Sequence, residues 1–468
     1  MPNLQIPDSA SENNVISEPC RRSVYLLSLG CAKNLVDAEC MSQILTEQGY
    51  RIVDDPSQAE TLIVNTCGFI ESAKREAIQA ILQMSDLKQP RGKARFLVVT
   101  GCLAQRYAAD IRQDLPEVDA ILGTAEYDRI ALTIEKLDQG SVSPADLTCH
   151  AHPGSLAHLA VSRQPANAGR YAYIKVAEGC SNCCSYCAIP GIRGPLRSRP
   201  MEDILAEAAR LSQAGRDELI LIAQDTTRYG LDLYQERMLV PLLKAICRLD
   251  TVRLVRILYV YADGLSDDLI RLMAVEPKIA HYLDLPIQHA ADSILRRMNR
   301  RDTREGLRAT VNRLRTAMPD IILRTTVLVG FPGETDAEFA ELLDFLSEIQ
   351  FERLGCFVFS PEEGTPAYKM RPRVRKAVAR QRQEAVMALQ KQISAAANRR
   401  RIGQTVQVTL ESVDESGIFY IGRSYGEAPE VDPDIYVAGT TEYLSVGQTC
   451  PVRLIDAGDY DMTGVTAL

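Results

Sequence analysis

Histidine is scarce in this 468-residue chain: there are five, and none precedes His150. Any large demand for metal ligands must therefore fall on sulfur, and a zinc site in the first 149 residues would need its fourth ligand from oxygen or from elsewhere. No apolar run is long enough to span a bilayer. The opening MPNLQIPDSASENNVISEPC has no basic n-region followed by an apolar core, so it is not a secretion signal and reads as a polar, disordered tail over residues 1–21. Heptads and low-complexity tracts are absent as well. Together these absences give a cytoplasmic expectation, in which thiols stay reduced and clustered cysteines point to metal or catalysis rather than disulfides.

What is present is the composition of an ordinary globular protein, 46% hydrophobic and 24% charged. The length predicts about three domains. The net charge of −8 is unevenly spread: residues 402–468 hold eleven Asp or Glu against two basic residues, Arg423 and Arg453. The last domain alone makes the chain acidic. Such a surface would repel nucleic acid, whose binding rests on basic residues, and would attract a basic protein.

Short apolar runs alternate with amphipathic ones from the start. SVYLLSL (23–29), TLIVNT (61–66) and RFLVVT (95–100) read as strands, and NLVDAECMSQILTEQG (34–49) and ESAKREAIQAILQM (71–84) as helices. This predicts a parallel α/β domain over 22–137. A Ser-, Pro-, Ala- and Gly-rich stretch, 138–170, reads as a linker. From 171 to 400, YAYIKVAE, ELILIAQ, VRILYVYA, HYLDLPI, LRTTVLVG and RLGCFVFS each precede a helix, which predicts a partial (β/α)6 barrel. Over 401–468, short alternating strands such as TVQVTL, GIFYIG, DIYVAG and CPVRLI predict a small antiparallel β-barrel.

Cys31, Cys67 and Cys102 each directly follow a predicted strand of the first domain, and each has a glycine neighbour (Gly30, Gly68, Gly101). Parallel strands all end at one edge, so three thiols far apart in sequence should converge there. The glycines would let the backbone approach a bulky ligand. Three thiolates with an open position suit an iron–sulfur cluster better than zinc. A second group lies in EGCSNCCSYC (178–187), after the first barrel strand. Taken as Cys180-x3-Cys184-x2-Cys187, it supplies three thiolates on one loop and leaves Cys183 without an assigned role, although another ligation that includes Cys183 stays open.

The spacing Cys180, Cys184, Cys187 before six βα units resembles the radical S-adenosylmethionine superfamily. The chain from about 22 to 466 further resembles the methylthiotransferases, with a terminal TRAM domain. The stretches SLGCAKNLVDAE, VNTCGFI, GCLAQRY, IPGIRGPLRSR, IAQDTTRYG, LDLPIQH and VGFPGET are similar to the RimO branch of that family. The resemblance implies methylthiolation of the β-carbon of an aspartate in small-subunit ribosomal protein twelve, free or in the ribosomal subunit. It implies two 4Fe-4S clusters, with S-adenosylmethionine as both radical source and methyl donor. The cluster on Cys180, Cys184 and Cys187 would generate the radical, and that on Cys31, Cys67 and Cys102 would supply sulfur. A flavodoxin-type reductant is the implied electron donor, and no membrane is involved.

Around the barrel mouth, Gln224, Asp225, Gln288, Arg199, Gly330 and Gly333 are the expected cofactor contacts, with Arg197 and His289 nearby. GFPGET (330–335) lacks the Gly-Lys-Ser/Thr ending of a phosphate loop but offers backbone donors. Glu362 and Glu363 read as a turn. Two other readings keep part of the pattern: a tRNA adenosine methylthiotransferase, which predicts a basic terminal domain, and a two-cluster electron carrier or scaffold, which leaves the barrel unexplained.

Overall fold

The computed structural model describes residues 21–141, 156–439 and 444–467. The expected tail lies outside the described residues, apart from Arg21, as do residues 142–155 of the stretch read as a linker. The first sheet comprises β1 (Arg21–Ser28), β2 (Tyr50–Ile52), β3 (Thr61–Thr66), β4 (Phe96–Gly101) and β5 (Ala120–Leu122). They are all parallel, in the order β2-β1-β3-β4-β5. All six residues of β3 are buried, because helices cover both faces and a two-sided strand needs an unbroken apolar run. β2 and β5 were not foreseen, since three residues are too few for a periodic pattern to register. The order reverses between β1 and β3, the crevice where open α/β sheets bind ligands.

The second sheet runs in the order β13-β12-β11-β10-β9-β6, with every pairing parallel. Its strands are β6 (Tyr171–Lys175), β9 (Glu218–Ile222), β10 (Leu254–Ile257), β11 (Ile279–Asp284), β12 (Ile322–Val329) and β13 (Arg353–Val358). A two-residue hairpin, β7 (Ala177–Glu178) with β8 (Arg197–Ser198), brackets the cysteine loop. One set of alternating residues, including Ile174, Leu221 and Ile257, packs under the outer helices. The opposite set, including Tyr173, Ile222 and Tyr282, faces inward against Ala32, Val36 and Cys40 of α1 (Ala32–Glu47) and against Ala428. The half-barrel is therefore closed by the first domain and by a loop of the last one.

The terminal strands β14 (Thr405–Val413), β15 (Phe419–Arg423), β16 (Ile435–Ala438), β17 (Thr449–Ala457) and β18 (Met462–Thr466) form a closed barrel. It is not wholly antiparallel: β16 and β18 pair in parallel, and β18 had no clear sequence signal. The acidity of this domain is also less available than its composition implied. Glu427 is buried between Arg401 and Arg353, and Asp432 pairs with Arg324. Glu411 shares Arg423 with Glu218 of β9. Much of the negative charge thus fastens the barrel to the core instead of facing solvent.

Glu218 is the ion-pair partner of fully buried Arg256 and also holds Arg423. Glu218→Gln leaves these guanidiniums under-compensated in a dry interface, and the expected loss is about 3–5 kcal/mol. A urea-unfolding midpoint unchanged from wild type would refute that expectation.

Candidate active site

Each cysteine of the first triad sits where a strand ends. Cys31 caps α1, Cys67 follows β3, and Cys102 begins α3 (Cys102–Asp114) directly after β4. They lie around the switch point, where Cys67 feels the charge of Cys102 and Cys31, and Cys102 that of Cys31. The glycines serve this convergence differently from the sequence expectation. A Cβ on Gly30, which has φ +97°, would lie 2.8 Å from Cys67 Cβ, and one on Gly68 would lie 2.7 Å from the Leu103 backbone. They make room for the adjacent cysteine loops rather than for a ligand. Asn34 ties the loops together: its Nδ2 donates to the carbonyls of Leu29 and Thr66, both at 2.9 Å, and its Oδ1 faces Cys102 Sγ at 3.7 Å.

The charge environment of the three thiols differs. Desolvation opposes ionisation of Cys31, but Lys33, Arg193 and the backbone N–H groups of Asn34 and Lys33 outweigh it and lower its pKa. Burial pushes Cys67 up to about 11 and raises Cys102. Among the described residues, no three His, Cys, Asp or Glu side chains converge closely enough to hold a metal ion. Thiolates on one zinc ion crowd around a single centre with bonds of about 2.3 Å. Ligands on separate corners of a polynuclear cluster stand further apart, so a cluster does not require that convergence.

The second triad lies on the loop between β7 and the short helix α5 (Ile189–Arg193). Cys180 and Cys184 are buried and Cys187 is half-buried, whereas Cys183 is exposed with its thiol toward Ser181 O. Three of the four face inward. Asn182 fixes the loop by donating to Asp225 Oδ2 at 2.7 Å, and Ser185 is held by the carbonyls of Met298 and Arg297. Tyr261 Oη lies 3.6 Å from Cys184 Sγ. Burial, then the neighbouring thiols, push Cys187 up to about 12, and Cys180 is raised chiefly by burial. Such thiols give up their protons to a metal rather than to water.

A buried ion network joins the two triads. Arg193 Nη1 contacts Asp37 of α1 at 3.0 Å and Glu178 at 2.7 Å, and its Nη2 donates to Asn34. Lys175 reaches the same two carboxylates, and His158 Nε2 lies 3.1 Å from Asp37. The short stretch 156–170, expected as linker, thus helps to pack the interface: His158 and Arg163 are buried. Cys102 itself packs on Ala188 and Ile192 beside Cys187. Glu362, read as part of a turn, is a buried clamp that receives Arg106 at 2.7 Å and Lys74 at 3.2 Å from the first domain. Asp37 and Arg193 lie in the quoted motifs, whereas His158, Arg163 and Glu362 lie outside them, and only the packing of the domains reveals their roles.

The expected cofactor contacts divide. Gln224 donates to Glu178 at 2.6 Å and leaves its Oε1 buried without a partner, and Arg197 Nε and Nη1 are likewise unpartnered. A ligand carrying both a donor and an acceptor, as an amino-acid moiety does, meets complementary groups here. Gln288, at φ +67°, lines a cavity of about 250 Å³ with Phe69, Ile70, Tyr186, Phe357 and Glu362. Asp225 is consumed by Asn182, Thr227 and Arg228 and so orients the cysteine loop.

Arg199 is a correction: it is buried with its guanidinium engaged by Glu207 and the carbonyls of Lys175 and Leu159. Gly330 and Gly333 are another, because the N–H groups of Gly330 and Phe331 go to the Glu334 carboxylate and that of Gly333 to Pro372 O. The loop's donors are taken by Glu334 within the loop and by Pro372 beyond it. His289 accepts from Ala291 N at 3.0 Å and is lowered to about 3 by burial, so it packs as a neutral ring.

Comparison with known proteins agrees with this architecture. Residues 23–123 match the family described as "Uncharacterized protein family UPF0004", 174–346 match the radical SAM superfamily, and 402–466 match the TRAM domain. The chain is 44% identical to the ribosomal protein uS12 methylthiotransferase RimO of Acetivibrio thermocellus, covering 95% of this chain and 98% of that one. It is 45% identical to the RimO of Geobacter sulfurreducens, over 95% and 98%. Among solved structures, the radical S-adenosylmethionine methyltransferase TsrM of Kitasatospora setae aligns with a TM-score of 0.54 at 13% identity, covering 74% of each chain. That likeness is one of fold.

Proposed function

The chain belongs to the RimO family of ribosomal protein uS12 methylthiotransferases, and from that premise we propose how its residues divide the work. It is a radical S-adenosylmethionine enzyme that transfers a methylthio group to uS12, and the acceptor is the β-carbon of an aspartate. Residues 171–400 hold one 4Fe-4S cluster on Cys180, Cys184 and Cys187; residues 22–137 hold a second on Cys31, Cys67 and Cys102; residues 401–468 contribute to docking. When bound, the clusters and S-adenosylmethionine supply hydrogen abstraction from a non-acidic C–H bond, sulfur and a methyl group, chemistry beyond protein side chains. The observation that carries this division is the pair of three-cysteine groups at two sheet edges, braced across one interface by Arg193 and Asn34.

The chain's own groups do the positioning. Asn182 and Asp225 set the cysteine loop, and Gln224 and Arg197 offer an acceptor and two donors to the methionine end of the cofactor. Phe69, Ile70 and Phe357 line a largely apolar chamber beside the two loops, where they exclude water from a reactive carbon. The partner is uS12, alone or in the assembling subunit; electrons come from a flavodoxin-type reductant, and the setting is cytoplasmic. No helix among the described residues is long and apolar enough to cross a membrane.

The test is a competition in one anaerobic tube. Protein reconstituted with iron and sulfide receives S-adenosylmethionine, a reductant, uS12 and bulk tRNA, and both substrates go to mass spectrometry. A methylthio gain on an aspartate of uS12 is expected. A gain on tRNA adenosine instead would keep the chemistry and overturn the substrate.

A further inference from the structure

Lys33 is a mostly buried lysine that no carboxylate of the described residues reaches. It is only 8% exposed, yet no hydrogen bond or carboxylate reaches its ammonium among the described residues. Every other buried lysine or arginine among them has a carboxylate oxygen within 3.4 Å. The carboxylates that face it across the interface are already spent: Asp284 on Arg324 at 2.9 Å, and Glu178 on Arg193 at 2.7 Å and Lys175 at 2.8 Å. Burial works against the ammonium and lowers its pKa, with the Cys31 thiol the first opposing charge that faces it, so its surroundings leave a direct carboxylate contact unmade.

The place of this charge is specific. Lys33 is two residues past Cys31, in the first turn of α1, where that helix closes the concave face of the half-barrel. Its Nζ stands 3.1 Å from the centroid of the Tyr259 ring. Tyr259 lies past the carboxyl end of β10 and is held at φ +60°, a conformation that non-glycine residues adopt at a cost and that clusters at ligand sites. The Thr226 N–H donates to its carbonyl at 3.0 Å, which keeps the ring over the ammonium.

We propose that Lys33 is the anchor for the side-chain carboxylate of the aspartate that the enzyme modifies, with the Tyr259 ring as the floor beneath it. This rests on the functional reading above and names how the site selects its residue. An entering carboxylate completes the missing ion pair in a water-poor interface, where charge-assisted hydrogen bonds are strong. The β-carbon of an aspartate is bonded directly to that carboxyl carbon. Fixing the carboxylate at Lys33 therefore fixes the reacting carbon beside the Cys31 loop. Lys33 acts as a positioning and specificity residue: asparagine, of the same size but uncharged, cannot form the pair.

The test crosses two substitutions. Anaerobically reconstituted wild-type, Lys33→Met and Lys33→Arg enzymes are each titrated with uS12 and with uS12 whose target aspartate is replaced by asparagine. Binding is read by calorimetry, and iron content is measured on the same samples. Wild type should prefer the aspartate form by at least about 30-fold, the low end for removing one partner of a buried charge pair. Lys33→Met should bind both forms alike, and Lys33→Arg should restore part of the preference. The wild-type arm changes only the substrate and so does not depend on folding of a variant. Absence of any preference in wild type, or its full retention in Lys33→Met, overturns the proposal. So does a Lys33→Met enzyme that loses iron and weakens for both forms equally, which would assign Lys33 to the cluster. If wild type binds neither form while the cleavage of S-adenosylmethionine proceeds, the uS12 reading itself fails and takes this proposal with it.

Discussion

Cys184→Ala is expected to abolish cleavage of S-adenosylmethionine, while Cys67→Ala keeps cleavage and loses methylthio transfer. The two thiols belong to separate groups in different domains: Cys67 directly follows the parallel strand β3, whereas Cys184 sits on the loop between β7 and α5. Cys184 is buried beside Tyr261 in the loop that Asn182 and Ser185 hold rigid, so alanine removes one of three ligands with no neighbour placed to substitute; Cys183 faces the opposite way. Even outer partners of metal ligands cost roughly 10–100-fold when removed, and a direct ligand costs more. Cys67 lies against Gly30, on the other side of the Arg193 network. Losing it leaves Cys180, Cys184 and Cys187 untouched. The measurement is 5′-deoxyadenosine and methylthiolated uS12 from the same reaction, together with iron per chain. Equal loss of cleavage in both variants, or full methylthiolation by Cys67→Ala, would sink the division of labour.

Arg193→Met is expected to destabilise the joined domains by about 3–5 kcal/mol near neutral pH, because it strands buried carboxylates that lose a partner. Burial works against ionisation of both Asp37 and Glu178. For Asp37, Lys175 and then Arg193 overcome it; for Glu178, Arg193 and then Lys175 do. Both carboxyls are held well below the usual range, Glu178 at about 2. A carboxylate with a depressed folded pKa contributes stability that is complete above its unfolded value, 4.5 for glutamate, and fades as pH falls through the folded value. The gap between wild type and Arg193→Met should therefore be widest above about pH 4.5 and shrink toward about pH 2. A gap that is constant with pH would mean that Arg193 acts by packing alone.

The sequence by itself determined the family of this protein and the grouping of its cysteines. Spacing on one short loop survives without knowledge of the fold, so the grouping of Cys180, Cys184 and Cys187 was legible directly. Cys31, Cys67 and Cys102 were legible because a parallel sheet brings all strand ends to one edge whatever the remaining packing. Continuous apolar runs marked the long strands for the same reason, while β2 and β5, at three residues, were too short to carry a period. The tertiary structure alone decided which polar residues face a ligand and which face one another. Arg199 and the GFPGET donors looked available, yet Glu207 and Glu334 consume them, since a buried donor takes the nearest acceptor that packing supplies. The acidity of the last domain was a true count but not a surface property, because Arg401, Arg353 and Arg324 neutralise part of it from the core. Lys33 was hidden for the converse reason. An exposed lysine and an unpaired buried one are the same letter, and only the carboxylates committed elsewhere around it separate the two.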